Sequence, residues 1–173
     1  INVRNRSQND IQVTQRLGAI GGSFNHGGDI AYSGVGDVVI DGDFSAGLVV
    51  QSIGAGGGIA LIGDADRVTT SFGGRDGAQG DGGDISFSNM GAVGTTGDLT
   101  HGLVVQSIGG GGGLVVSEAS ELDITRSQDN IGNGGDVAIS IDSAFSEGTG
   151  SHAVIVQSLG GGGGIANDQV IGS

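Results

Sequence analysis

The sequence predicts an all-β chain, folded as a right-handed parallel β-helix or β-solenoid with about three rungs per repeat. Three observations carry this. One unit is written three times within the 173 residues, and short strand signals recur every eight to ten residues. No window shows helical periodicity with a cap, apart from a short stretch, VVSEASEL, near 115–122.

Two short strings anchor the repeat. Gly-Gly-Asp stands at 27–29, 82–84 and 134–136, and Gln-Ser pairs begin at Gln51, Gln106 and Gln157. From the second Gly to the Gln is 23, 23 and 22 residues. The chain therefore reads as one solenoid fragment, 1–173, of a longer repeat protein, with units of about 1–62, 63–114 and 115–173. A unit of 52–55 residues divides into three rungs of 17–19, the length of one coil of a parallel β-helix, with coils stacked ~4.8 Å apart. A β-sandwich is the alternative, but it does not require the sequence to repeat.

Within the first unit the elements follow in order. DIAYS (29–33), DVVID (37–41) and GLVVQSI (47–53) are short, β-rich and separated by Gly, Asp or Ser turns. Each V-V-Q-S-I strand then runs into glycines, GAGGG at 54–58 and GGGGG at 109–113 and 160–164. A flexible linker would account for one such run. Three runs that all follow the same strand and resume with Ile59-Ala60, Leu114-Val115 or Ile165-Ala166 predict ordered backbone in close approach. The stretches 59–81 and 114–133 vary in length and sequence and read as loops or irregular rungs.

The strand before the glycines carries a second signal. Alternation puts Leu48 and Val50 on one face and Val49, Gln51 and Ile53 on the other. The counterparts of the second set are Val104, Gln106 and Ile108, then Ile155, Gln157 and Leu159. Both faces are largely apolar, which marks a strand buried on both sides. The second face needs a cover, supplied by the variable stretches of the same chain or by another copy, with the three glutamines making the few buried hydrogen bonds.

Composition excludes several functions. There is no Lys, and six Arg stand against 19 acids for a net charge of −13. Phosphate backbones and anionic membranes repel such a surface, so nucleic acid is not a partner and this segment makes no direct membrane contact. No apolar run is long enough to span a bilayer as a helix. The absence of Lys leaves no P-loop and no Schiff-base lysine. SIGAGGGIA (52–60) imitates a dinucleotide loop, but Ile59 takes the third glycine position and no helix follows. There is no Cys nucleophile and no G-x-S-x-G elbow.

His26, His101 and His152 read as turn or surface residues, since Ala46 occupies the matching place in the first unit. The Asp-Gly clusters, including GDAD at 63–66, read as turns. Asp76, Asp81 and Asp84 are the candidate calcium ligands; no other cofactor is called for.

HGLVVQSIGGGGG (101–113) and SHAVIVQSLGGGGG (151–164) resemble the S-H-G-I-x-A-Q-S-I-G-G-G-G-G signature in passenger regions of very large, glycine-rich bacterial autotransporters. The resemblance covers all three units. Ala46 in place of His, Ala55 within the first glycine run, and Val before Gln depart from it. It implies a β-helical passenger displayed on a Gram-negative surface, with an outer-membrane barrel encoded downstream. The absence of Cys fits export in an unfolded state. The resemblance leads to a non-enzymatic structural or adhesive module, acting as stalk, fibre or adhesion scaffold, whose partners are a host or neighbouring cell surface or further copies. A β-helical polysaccharide-active enzyme and a self-assembling extracellular filament subunit are the alternatives.

Overall fold

The computed structural model describes residues 12–21, 24–63, 65–126, 131–167 and 169–171. The described residues form β-strands and no helix. The first unit supplies β1 (Gln12–Leu17), β2 (Ile30–Val35), β3 (Val38–Ile40), β4 (Ala46–Ile53) and β5 (Gly57–Ile62). The second supplies β6 (Arg67–Phe72), β7 (Ile85–Thr95), β8 (His101–Ile108) and β9 (Gly112–Ser117). The third supplies β10 (Glu121–Arg126), β11 (Val137–Ser146), β12 (His152–Leu159) and β13 (Gly163–Ala166), followed by β14 (Gln169–Ile171).

These strands build four separate parallel sheets, and each sheet takes its strands from all three units. The orders are β1-β6-β10, β2-β7-β11 with β3 also on β7, β4-β8-β12, and β5-β9-β13. The one antiparallel addition is β14, which lies on the outer edge of β13. Equivalent residues stand side by side: Gln51 beside Gln106, and Gln106 beside Gln157.

That register corrects the expected rung length. Neighbouring strands are a whole repeat apart, as in Gln12 beside Arg67 and Arg67 beside Glu121, and not 17–19 residues apart. The physical reason is the face pattern. The four strands of one unit bury different faces, so only the equivalent strand of the next unit matches each one. In β6, Val68, Thr70 and Phe72 are buried while Arg67 is exposed, the alternation of a sheet with one wet face. In β8 and β9 every residue is buried.

Three apolar clusters give the order of the layers. Ile85, Phe87 and Val93 of β7 pack on Leu103 and Val105 of β8. Val104, on the opposite face of β8, packs on Leu114, Val116 and Ile165 of β9 and β13. Val115 of β9 packs the other way, on Val68 and Phe72 of β6. The β8 and β9 sheets are thus the inner layers, and the β7 and β6 sheets the outer ones. Fully burying each Val, Leu, Ile or Phe side chain contributes roughly 1.5–3 kcal/mol.

The variable stretches carry strands, so of the two expectations, loops or irregular rungs, it is the loops that the structure replaces. Residues 57–62 and 112–117 are β5 and β9, and 67–72 and 121–126 are β6 and β10, paired in register although only the glycines at the start of β5 and β9 match. Pairing uses main-chain groups and demands only that the apolar side match. These stretches also provide the cover for the second face of the V-V-Q-S-I strand.

Candidate functional site

The residues that recur from unit to unit meet at the contacts between units. The glutamines form a ladder: Gln51 Nε2 donates to Gln106 Oε1 at 2.6 Å, and Gln106 Nε2 donates to Gln157 Oε1 at 2.7 Å. Gln106 is fully buried in the middle of β8, where an unpaired amide would cost about 1–3 kcal/mol. A chain of side-chain amides along the stack satisfies the central one, Gln106, from both sides.

The serine after each glutamine ties the strand to the Gly-Gly-Asp segment. Ser52 Oγ donates to Gly28 O at 2.7 Å and accepts Gly83 N–H at 2.8 Å. Ser107 Oγ repeats this with Gly83 O at 2.7 Å and Gly135 N–H at 2.8 Å. Each hydroxyl therefore holds its own unit and the next. The near-constant distance from Gly-Gly-Asp to Gln-Ser in the sequence reflects this clamp, and it is the signal by which the serines could have been found.

The acidic residues of the turns serve the same contacts. Asp29 Oδ1 accepts Asp84 N–H at 2.9 Å, and Asp84 Oδ1 accepts Asp136 N–H at 2.8 Å. Asp43 Oδ1 takes Asp98 N–H and Asp98 Oδ1 takes Thr149 N–H, at 2.8 and 2.7 Å. A carboxylate accepting a main-chain amide makes a charge-assisted bond, stronger than a neutral one. The cross-unit ion pair of Arg67 with Glu121 raises the guanidinium pKa above its ordinary value, first through the hydrogen bond to Glu121.

The glycine runs sit where two demands coincide. Ala55, Gly110 and Gly161 have φ of 59°, 82° and 67°, and the residues after them, Gly56, Gly111 and Gly162, have 76°, 87° and 82°. Two successive left-handed residues turn the chain from one inner sheet into the other. At Gly113 a Cβ would overlap the Gly58 carbonyl oxygen, so backbone lies directly on backbone. The expectation of ordered, closely packed glycines agrees with this arrangement.

The second-face residues fall as follows. Val104, Gln106 and Ile108 are fully buried, and Val49 and Ile155 pack on the same cluster as Val104. Gln51 and Ile53 are half-buried on the outer strand β4; Gln157 is buried and Leu159 half-buried on β12.

The calcium candidates are not brought together. Asp76 is exposed beside Arg75, at 3.7 Å. Asp81 lies near His26 and its Oδ1 accepts Asn133 N–H at 2.7 Å, while Asp84 belongs to the aspartate ladder. Among the described residues, no group of three or more His, Asp or Glu side chains is placed to hold a metal. Asp64, in the GDAD cluster, lies outside the described residues.

His101 departs from its expected turn or surface role. It is fully buried in β8, its Nε2 is 2.7 Å from the Asn167 carbonyl oxygen, and its ring lies 5.3 Å from that of His152. It starts a strand that is covered on both faces, which is why the sequence-level reading failed there. His26 does lie in an exposed segment, its Nδ1 accepting Asp81 N–H at 3.1 Å.

Comparison of the chain with protein-family profiles, with curated proteins and with solved structures gives no match.

Proposed function

We propose that the chain is a structural segment of a secreted, surface-displayed passenger, a right-handed parallel β-solenoid with one coil per repeat that acts as stalk, fibre or adhesion scaffold. The single observation that carries this reading is the use made of the recurring residues. Gln106, Ser107, Asp84 and the glycines after Ile108 all hold one unit to the next. A module whose repeated chemistry is spent on stacking is suited to setting length. Right-handedness follows the general rule for crossovers between parallel strands. Surface display and the autotransporter barrel rest on the resemblance of the Q-S-I-G-G-G-G-G strings.

The test has two parts. Chains carrying twelve, eighteen and twenty-four units, long enough for the stack to exceed its own width, are measured by small-angle scattering, and the long dimension should grow by about 4.8 Å per added unit. Growth as the cube root of mass would overturn the one-coil reading. The chain is then displayed on Gram-negative cells behind an outer-membrane barrel. Display is expected to increase attachment to host cells or between bacteria; unchanged attachment on both would overturn the adhesive role and leave only a spacer.

A further inference from the structure

A groove of about 380 Å³ crosses the outer face of the β7 sheet and passes through all three units. Its lining is mostly apolar, and its size falls among small-molecule sites. Asp29, Asp84 and Asp136 form one row along it, and Ala31, Ser86 and Ala138 form its floor. Each Asp stands just before a strand. Alternation turns it and the residue two places on outward, while the Ile or Val between them packs on the core. The floor is hollow because its side chains are small. The sequence writes this three times, as Gly-Gly-Asp, then Ile or Val, then Ala or Ser. The middle unit has neighbours on both sides and carries the groove like the others, so the groove runs along the stack.

The carboxylates are held in place. Asp29 Oδ1 accepts Asp84 N–H and Asp84 Oδ1 accepts Asp136 N–H, so each is fixed by one oxygen with the second left for another donor. Strand stacking repeats the charge at ~4.8 Å, and like charges on neighbouring strands repel. Among the described residues no cation relieves this row. Arg67 is taken by Glu121 and Asp123, and Arg75 lies beside Asp76.

We infer that the groove binds a linear polyamine, laid along the stack with its ammonium groups on the aspartate row and its methylenes on the apolar floor. The argument is charge complementarity at a fixed interval. Ammonium groups joined by short methylene chains repeat at close to the strand spacing. Same-side residues of an extended basic peptide recur at about 6.6 Å and fall out of step with a ~4.8 Å row. A single divalent ion needs several carboxylates around one point, and the described residues offer no such group. This inference goes beyond the stalk reading and needs neither surface display nor adhesion.

The test titrates spermine, a linear tetra-amine, into the chain by calorimetry at low salt, with circular dichroism on the same samples. Spermine should bind, should raise the melting temperature, and should bind less tightly as sodium chloride is added. Asp84→Asn keeps an oxygen for the Asp136 amide and removes the central charge; affinity should fall roughly tenfold. Ser86→Leu fills the floor from an exposed position without changing charge, and should weaken binding as well. It carries the test if Asp84→Asn loses its strand signal. Asp76→Asn removes the same charge outside the groove and should bind like the parent. A folded parent that ignores spermine overturns the site. So does an Asp76→Asn chain weakened as much as Asp84→Asn, which would show attraction to net charge alone. Magnesium that displaces spermine at equal concentration, or a capped tetra-arginine that binds more tightly, overturns the polyamine assignment. A parent without strand signal overturns the stacking that forms the groove.

Discussion

Replacing Val104 tests whether the second face of the V-V-Q-S-I strand is covered by the chain itself. Val104 is fully buried against Leu114, Val116 and Ile165, with Val49 and Ile155 on either side. Val104→Ala removes two methyl carbons, about 1.6 kcal/mol of transfer free energy at ~0.8 kcal/mol per carbon. The cavity left behind brings the total to about 2–3 kcal/mol. At roughly 2–4 °C per kcal/mol for a chain of this length, the melting temperature should fall by about 5–10 °C. Val104→Asp places a carboxylate between two inner sheets, at a penalty of several kcal/mol. Against a total stability of about 5–15 kcal/mol, that is enough to abolish the fold. Val156→Asp, at a position 42% exposed, serves as the control and should change stability by about 0.5 kcal/mol or less. The assay is urea unfolding followed by circular dichroism, on dilute samples so that assembly does not contribute. A Val104→Asp chain with the parent's strand signal and urea midpoint would refute the reasoning, because the face would then be open in the single chain.

Two further perturbations separate competing accounts. Gly113→Ala should lower the melting temperature, since its Cβ overlaps the Gly58 carbonyl oxygen; a mobile glycine loop would instead gain about 0.5–1 kcal/mol from the same change. Calcium and EDTA should both leave the melting temperature unchanged, because the Oδ1 atoms of Asp81 and Asp84 accept main-chain amides; a calcium-dependent rise would show that these turns bind the ion.

The sequence by itself determined the threefold unit, the β class and the two buried faces of the strand around Gln106, because strand alternation and repetition are local properties written residue by residue. It also showed that the glycine runs have a job in the fold, since each follows the same strand. Only the tertiary structure decided which strands pair. A parallel ladder looks the same locally whether its neighbour lies 18 or 55 residues away, so a rung of 17–19 residues and a whole-repeat offset share one signal (~4.8 Å between strands in either case). The offset became visible only where Gln51 meets Gln106 and Arg67 meets Glu121. The variable stretches were misread for a related reason. β6 and β10 pack on the same apolar cluster but have no identical residue in register, and main-chain pairing does not require sequence identity. The roles of Ser107 and Asp84 depend on atoms from two units, brought within hydrogen-bond distance by layer stacking that no single stretch of sequence encodes.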